Sequence, residues 1–205
     1  MMNIAILGES KLARSLGNRY MNRGIEVIFG VKTNFEIKDI EWKIYNKLLD
    51  KVLSYSEAIA KAEIVFICCE NECLPSVCDS LLQENNPDTI IIDCTNSSYT
   101  EGNAGNASLI QEQLGDKNLY KAFNNLGMDY PNSDPLGVIQ ETYYCGENNE
   151  NKAKVKKWIE LAGFKAIDAG AYDSAQLLEA FYHLKMKIAH QQNQNSQCHF
   201  KLISV

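Results

Sequence analysis

The chain of 205 residues lacks an excess of basic charge, because 20 Lys and Arg stand against 26 Asp and Glu, for a formal net charge of −6. This balance offers no general attraction to nucleic-acid phosphates or to an anionic membrane surface. Apolar runs of roughly 18 to 20 residues, the length of a membrane span, are also missing. Repeats of roughly 20 to 50 residues are absent, which excludes solenoids and propellers. We therefore expect a protein that acts in solution.

The seven cysteines lack the pattern of a secreted disulfide framework. Their number is odd, Cys68 and Cys69 are adjacent, and the N-terminus has neither the basic region nor the cleavage site of a signal peptide. The spacing to Cys73 and Cys78 contains no C-x2-C unit, so a zinc site is not expected. The sequence predicts reduced thiols in a cytoplasmic protein, with buried cysteines packing as small apolar residues.

Short apolar strands alternate with helical patterns along the chain. The predicted strands cover residues 2–7, 25–29, 52–54, 64–69, 89–93, 119–123, 142–145 and 165–168. The predicted helices cover residues 12–23, 35–49, 56–60, 73–84, 107–114, 152–162 and 174–190. Continuous apolarity of the strands is typical of a parallel sheet buried on both faces. The pattern predicts a Rossmann-type, doubly wound α/β fold with a mostly parallel sheet and helices on both faces.

The chain divides into a nucleotide-binding domain over residues 1–190 and a polar tail over residues 191–205. In the helix over 73–84, the residues expected to face the core are Leu74, Val77, Leu81 and Leu82. In the last helix, the expected buried residues are Leu177, Phe181, Leu184 and Ile188. The segment 124–135 is expected to be a surface loop and a wall of the site. The tail predicts a mobile or partner-docked segment, and its apolar residues Phe200, Leu202, Ile203 and Val205 are natural contacts for a partner such as a second copy of the chain.

The sequence from Gly8 to Ala13 (GESKLA) lies where a strand turns into a helix, which is the place of the dinucleotide fingerprint G-x-G-x-x-G/A. Gly8 can form the tight turn, whereas Ser10 replaces the second glycine and offers a hydroxyl to a phosphate oxygen. The helix N-terminus favours an anion, and Glu9 opposes it with a carboxylate. The alternative is a strand-to-helix turn without a ligand.

The end of the second strand distinguishes NADP from NAD. Lys32 and Thr33 stand there as a positive charge and a hydroxyl donor, which favours NADP. Glu26 is at the opposite end of that strand. The alternative is that Lys32 is an ordinary exposed lysine.

Four dispersed motifs resemble the coenzyme F420-dependent NADP oxidoreductase family, which is related to the cytosolic domain of the metalloreductases. They are Asp93-Cys94-Thr95-Asn96, Lys121-Ala122-Phe123-Asn124, Cys145-Gly146-Glu147 and Gly163-Phe164 with Asp168 and Gly170, and Leu178-Glu179 also fits. The chain departs from the family pattern in its first loop, at Val31-Lys32, at Glu70 and at Ser97.

The resemblance implies where the cofactor lies. Gly8, Ser10 and Leu12 would meet the diphosphate, and Lys32 and Thr33 the 2′-phosphate. Lys11 and Cys69 are further candidates for cofactor binding. Thr95, Asn96, Phe123 and Asn124 would meet the nicotinamide. Cys94 and Cys145, at strand ends, are alternatives for ligand contact. All these residues follow or end predicted strands, where an open α/β sheet binds its ligand.

The resemblance implies an NADP(H)-dependent oxidoreductase that transfers hydride between the nicotinamide and a flavin, a deazaflavin such as coenzyme F420, or a metal-flavin system. Such a site orients two rings and excludes water, so no catalytic acid or base is required. His183 could protonate a product, although packing is its commoner role. Alternatives are a dinucleotide-binding regulatory protein without turnover and a dehydrogenase like the pyrroline-5-carboxylate reductases, which would need a further helical domain after residue 170.

Overall fold

The computed structural model describes residues 3–47, 50–98, 105–115, 118–192 and 198–203, which form one sheet with helices on both faces. The strands are β1 (Asn3–Leu7), β2 (Glu26–Val31), β3 (Val52–Ser54), β4 (Ile64–Ile67), β5 (Ile90–Asp93), β6 (Leu119–Ala122), β7 (Glu141–Gly146) and β8 (Lys165–Asp168). The helices are α1 (Lys11–Met21), α2 (Ile40–Lys47), α3 (Tyr55–Ile59), α4 (Leu74–Glu84), α5 (Gly105–Leu114), α6 (Glu150–Leu161) and α7 (Ala175–Gln191). Predicted element ends at residues 2 and 48–49, part of the loop after β5, and Val205 lie outside the described residues.

The eight strands follow the order β3-β2-β1-β4-β5-β6-β7-β8. Strands β1 to β6 are parallel, β7 is antiparallel to β6, and β8 is parallel to β7. The predicted Rossmann-type α/β fold is therefore confirmed. Because β7 runs in reverse, its first residue, Glu141, lies at the edge of the sheet where β6 ends.

The sheet has an apolar core on each face, as the continuous apolarity of its strands predicts. Tyr20, Phe66 and Trp158 belong to the core beneath α1, α2 and α6. Val65 and Val77 belong to the core beneath α3, α4, α5 and α7. Burial of β1 and β4 between these cores fixes their carboxyl ends beside the first turn of α1. No helix among the described residues is long and apolar enough to cross a membrane.

The buried face of α7 differs from the prediction. Leu177 and Leu184 are 69% and 51% exposed, and Leu82 of α4 is also largely exposed. The residues of α7 that are buried are Ala175, Leu178, Glu179, Lys185 and Ala189. Two of them are charged, so the buried face of the helix does not coincide with its apolar stripe.

The segment between β6 and β7 is not the surface loop that its polar composition predicts. Leu126 and Tyr130 are buried, and the carboxylate of Asp134 accepts the main-chain N–H groups of Val138 and Ile139 at 2.8 and 3.0 Å. These internal bonds satisfy the backbone of a segment that packs into the protein.

The prediction of a mobile tail is wrong for residues 198–203, whereas partner contact through the exposed Leu202 and Ile203 stays a prediction. The ring of Phe200 stacks on that of Phe181 with centroids 4.4 Å apart. The Leu202 N–H donates to the carboxylate of Glu141 at 3.0 Å. This part of the tail is therefore held against α7 and β7.

Candidate nucleotide-binding site

The sequence-predicted site residues gather along one edge of the sheet, at the carboxyl ends of its parallel strands. Gly8 to Leu12 follow β1, Lys32 and Thr33 follow β2, Cys69 follows β4, Thr95 and Asn96 follow β5, and Phe123 and Asn124 follow β6. An open α/β sheet binds its ligands in the crevice at this edge. The topology therefore places the predicted residues where a dinucleotide would lie.

The turn from β1 to α1 needs glycine at position 8. Gly8 has a φ of +125°, and a Cβ atom there would lie 2.5 Å from the carbonyl oxygen of Cys68. The turn therefore passes directly over the end of β4. Cys69 contributes its main chain to this contact, while its side chain is buried in the core and burial raises the pKa of its thiol.

Ser10 caps α1 instead of presenting a free hydroxyl. Its Oγ accepts the Ala13 N–H at 3.1 Å and donates to the Cys68 carbonyl at 2.7 Å. The prediction that this hydroxyl donates to a phosphate oxygen is contradicted in this conformation, because its proton is engaged. The bond links the first turn of α1 to the end of β4 and so fixes the loop.

The segment between β6 and β7 also covers the first turn of α1. The Leu12 N–H donates to the carbonyl of Met128 at 3.0 Å, so it is not free for the diphosphate contact that the resemblance implies. The Lys11 ammonium pairs with Asp129 at 2.6 Å, and both side chains are about half exposed. Such a surface pair contributes little stability, so Lys11 can turn toward a phosphate at small cost.

Glu9 lies at the end of β2. Its Oε1 accepts the main-chain N–H of Lys32 at 2.8 Å. A carboxylate therefore lies at the end of β2, beside the main chain of Lys32. Desolvation raises the pKa of Glu70, and the nearby Glu72 and Glu9 add to the increase. This end of the site is acidic. From the sequence we expected only that Glu9 opposes binding of the diphosphate.

Three charged side chains form a buried network at the ends of β5 and β6. The Lys121 ammonium lies 2.5 Å from Asp93 Oδ2 and 3.1 Å from Glu179 Oε1, and it donates to the carbonyl of Thr95 at 2.9 Å. Asp93 and Lys121 are fully buried, and Glu179 is 3% exposed. Burial raises the pKa of Asp93. Burial alone would lower the pKa of Lys121, but the charges of Asp93 and Glu179 outweigh it, so the pKa of Lys121 is raised.

Glu179 also caps α5. Its two carboxylate oxygens accept the N–H groups of Asn106 and Ala107 at the helix N-terminus, at 3.1 and 2.7 Å, and the N–H of Ser97 at 3.0 Å. Burial would raise the pKa of Glu179, but the Lys121 charge and these N–H groups lower it. The network therefore ties α5 and α7 to the ends of β5 and β6.

Thr95 belongs to this network and not to the exposed wall of a cleft. It is fully buried, its Oγ1 donates to Asp93 at 2.8 Å, and the Asn106 amide donates to the same Oγ1 at 2.9 Å. In the sequence, Lys121 and Glu179 stand out only as parts of motifs. Their structural role follows from burial and from contacts across the fold, which a single sequence does not display.

Asn96 and Asn124 form the polar part of the site at the end of β6. The Asn96 side-chain amide donates to the main-chain carbonyl of Asn124 at 2.8 Å, and the Asn124 side-chain amide donates to Asn96 Oδ1 at 3.1 Å. Asn124 Oδ1 is buried and lacks a hydrogen-bond partner among the described residues. An unpaired buried acceptor costs about 1–3 kcal/mol. Phe123, the residue before Asn124, has a φ of +63°.

The remaining candidates are a histidine and two cysteines. His183 Nε2 lies 3.3 Å from the Ser97 hydroxyl, and burial lowers the pKa of its imidazole. Cys94 and Cys145 are fully buried, and burial raises the pKa of both thiols, so their ligand-contact alternative is not supported. All seven cysteines are unpaired.

The fold and this edge define a Rossmann-type α/β protein. Residues 3–97 match the model of the family described as "NADP oxidoreductase coenzyme F420-dependent". The predicted resemblance to that family is therefore confirmed, and these comparisons relate the chain to NADP-dependent oxidoreductases. The motifs after residue 97 lie outside the matched residues.

A curated relative is Metalloreductase STEAP3 of Rattus norvegicus, which is 25% identical over 180 residues. The alignment covers 86% of this chain and 36% of the relative, so the chain spans about a third of that protein.

Solved structures share the fold. A candidate F420-dependent NADP-reductase from Arthrobacter sp. FB24 has a TM-score of 0.76 and 17% identity, with 100% of both chains covered. An imine reductase from Bacillus cereus BAG3X2 has a TM-score of 0.63 and 16% identity over 94% of this chain and 62% of that one. At these identities the structures show the fold alone.

Proposed function

We propose that the protein is an NADP(H)-dependent oxidoreductase that transfers hydride between the nicotinamide and a flavin- or deazaflavin-type acceptor. The observation that carries the proposal is the unpaired buried acceptor Asn124 Oδ1, which lies on the same edge of the sheet as the glycine turn of β1. The seven unpaired cysteines support a reducing compartment, the cytoplasm.

Each part of the edge has a role in this proposal. The main-chain N–H groups of Ser10 and Lys11 begin α1 and face the diphosphate, which the helix terminus favours. Lys32 and Thr33 hold the 2′-phosphate, and the Asn124 carbonyl oxygen orients the carboxamide. The bound nicotinamide supplies or accepts the hydride. The chain itself orients the ring and excludes water, through the buried network that fixes the ends of β5 and β6.

Thermal unfolding tests the nucleotide. NADPH at 100 times its dissociation constant adds about 2.7 kcal/mol to the free energy of unfolding, which raises Tm by about 5 to 10 °C. Lys32→Gln should weaken NADPH binding about tenfold and leave NADH unchanged. Lys61→Gln is the matched control, because Lys61 is an exposed lysine before β4, at the opposite edge. Wild-type protein with no Tm shift at any NADPH concentration would refute the proposed cofactor.

Anaerobic hydride transfer tests the reaction. NADPH oxidation is followed with FMN, FAD and a deazaflavin as separate acceptors, and [4-²H]NADPH should transfer its label to the deazaflavin. A second candidate function, a dinucleotide-binding regulatory protein without turnover, is favoured by the engaged Ser10 hydroxyl and by Glu9 on Lys32. Nucleotide binding without oxidation by any of the three acceptors would favour this second function.

A further inference from the structure

A cavity lies beside the candidate nucleotide site, and most of its walls are apolar. It has a volume of about 240 Å³, is partly open to solvent, and lies between β7, α7 and the docked tail. Tyr143, Phe181 and Phe200 supply aromatic walls, and Lys185 and His199 supply nitrogen atoms. Its volume is somewhat below the roughly 300–1,000 Å³ of pockets for drug-sized ligands, so it suits a smaller molecule.

Lys185 is a buried amine without a counter-ion. Its side chain belongs to the buried face of α7, and the residue is 4% exposed. The ammonium donates to the Asn125 carbonyl at 3.2 Å and lies 4.6 Å from the centroid of the Tyr182 ring. Within the described part of the chain, no carboxylate forms an ion pair with it. A buried ammonium with a single hydrogen bond is costly, because most of its donors have lost water without a replacement.

The carboxylate in the cavity wall does not supply the missing charge. Glu141 Oε1 accepts the Tyr143 hydroxyl at 2.9 Å and the Leu202 N–H at 3.0 Å. These two bonds hold the carboxylate in the joint between β7 and the tail. The empty volume next to Lys185 is therefore the place from which an anion can reach the ammonium.

We propose that this cavity binds a small organic carboxylate with an aromatic or aliphatic body, whose carboxylate pairs with Lys185 while its body lies against Phe181 and Phe200. The proposal follows from three observations: a partly open cavity, aromatic side chains in its walls, and one buried cation that lines it. The site is separate from the nucleotide contacts, although Asn125 follows directly after Asn124. It does not depend on the proposed hydride transfer.

Calorimetric titration tests the site with 3-phenylpropionate as the probe. The neutral analogue 3-phenylpropionamide has the same shape, and we expect it to bind at least tenfold more weakly. Lys185→Met should reduce carboxylate affinity at least tenfold and remove the preference over the amide. Lys187→Met, an exposed position two residues along the same helix, is the control and should bind like the wild type. Equal affinity for acid and amide, or full affinity in Lys185→Met, would overturn the proposal, as would absence of binding by phenylacetate, 3-phenylpropionate and hexanoate alike.

Proton uptake gives a second measurement that needs no variant. Burial lowers the pKa of Lys185 to about 8, so about half of the amines are neutral at pH 8. Pairing with a carboxylate restores the charge, and each binding event should take up about half a proton at pH 8. The binding enthalpy should therefore differ between phosphate and Tris buffers.

Other titratable groups around the amine limit the choice of pH. They are Tyr182 on α7, Glu141 and Tyr143 on β7, and Cys198, His199 and Lys201 in the tail. Burial lowers the pKa of His199, and it raises the pKa of Tyr143 to about 12, so neither is expected to titrate at pH 8. Equal enthalpies in the two buffers would contradict the pairing with Lys185.

Discussion

Glu9 places a carboxylate at the end of β2, where the proposed site would bind the ribose of the nucleotide. It accepts the N–H that follows β2, beside the lysine that would hold a 2′-phosphate. A second negative charge brought to this point is repelled, whereas a ribose hydroxyl could donate to the carboxylate. In the proposed site, Lys32 favours NADP and Glu9 opposes it, so we expect the balance between NADPH and NADH to depend on both residues.

Glu9→Gln should therefore tighten NADPH binding by about three- to tenfold, which corresponds to about 0.7–1.4 kcal/mol, and should leave NADH binding unchanged or weaker. Dissociation constants of both nucleotides measured by fluorescence titration check this. Glu26→Gln is the control, because Glu26 lies at the other end of β2 and pairs with Lys51. An unchanged NADPH-to-NADH ratio in Glu9→Gln would show that the carboxylate does not meet the ribose.

Lys121 shows how a motif residue can have a structural role. Its replacement by Met would leave Asp93 and Glu179 buried side by side without a cation, so we expect a loss of about 3–5 kcal/mol in the free energy of unfolding. Urea unfolding followed by circular dichroism measures it. Lys156→Met is the control and should change stability by less than about 0.5 kcal/mol, since Lys156 and Glu160 form an exposed pair. Equal effects of the two variants would contradict the importance of the buried network.

Helix α3 shows what a local sequence signal can and cannot predict. The sequence indicates a short capped helix over 56–60, whereas the helix begins at Tyr55 and its cap is Ser54, the last residue of β3. Ser54 and Glu57 form a reciprocal capping box, with the Ser54 N–H donating to the Glu57 carboxylate at 3.0 Å. The serine that ends the strand therefore also starts the helix.

Ser54→Ala should cost about 1 kcal/mol of unfolding free energy, because the N–H of Glu57 loses its acceptor. Ser56→Ala, inside the first turn, is the matched control and should lie within about 0.5 kcal/mol of the wild type. Chemical unfolding of both variants under the same conditions measures the difference. A larger loss in Ser56→Ala than in Ser54→Ala would place the cap where the sequence pattern suggests.

Helix α7 marks the limit of prediction from apolar periodicity. Its apolar stripe predicts burial of Leu177 and Leu184, but the buried side carries Glu179 and Lys185. Each of these charges is buried for a reason outside the helix: Glu179 caps α5, and Lys185 faces a cavity. By contrast, β1 and β4 could be predicted because a strand covered on both faces is apolar at every position.

At the scale of the whole molecule, the buried thiols lower the free energy of unfolding as the pH rises into the alkaline range. Burial raises the pKa of Cys69, Cys78, Cys94 and Cys145. A thiol that ionises only in the unfolded chain stabilises the fold below the unfolded pKa near 9, and this contribution is lost as the pH rises toward the folded pKa. Lys185 acts in the opposite direction, because its folded pKa is lowered, and it offsets part of the loss.

The contribution of one thiol can be isolated with Cys78→Ala. Burial raises the folded pKa of Cys78 to about 12 from an ordinary 9, so this thiol accounts for about 1 kcal/mol of the stability lost between pH 8 and pH 10. We expect the variant to lose about that much less than the wild type over the same range. Urea unfolding under reducing conditions at pH 8, 9 and 10 gives both slopes. Equal dependence of stability on pH in the wild type and in Cys78→Ala would show that Cys78 has the same pKa in the folded and unfolded chains.

The sequence predicted the sheet, the order of its elements and the edge that carries the candidate site. It did not predict which polar atoms at that edge are already engaged. The Ser10 hydroxyl, the Leu12 N–H and Thr95 Oγ1 bind partners at Cys68, Met128 and Asp93. Most of these partners are distant in the chain and meet only after folding, so spacing along the sequence does not reveal them.

The reversal of β7 has a consequence for how such a site can diversify. The chain between Ala122 and Glu141 connects β6 to the antiparallel β7. Its Met128 and Asp129 contact the first turn of α1, its Tyr130 contacts Arg19 in the last turn of that helix, and residues 138–140 line the Lys185 cavity. Changes in its length or composition would alter the surroundings of both proposed ligands while leaving the strand order intact, so we expect the two sites to diversify through this connection.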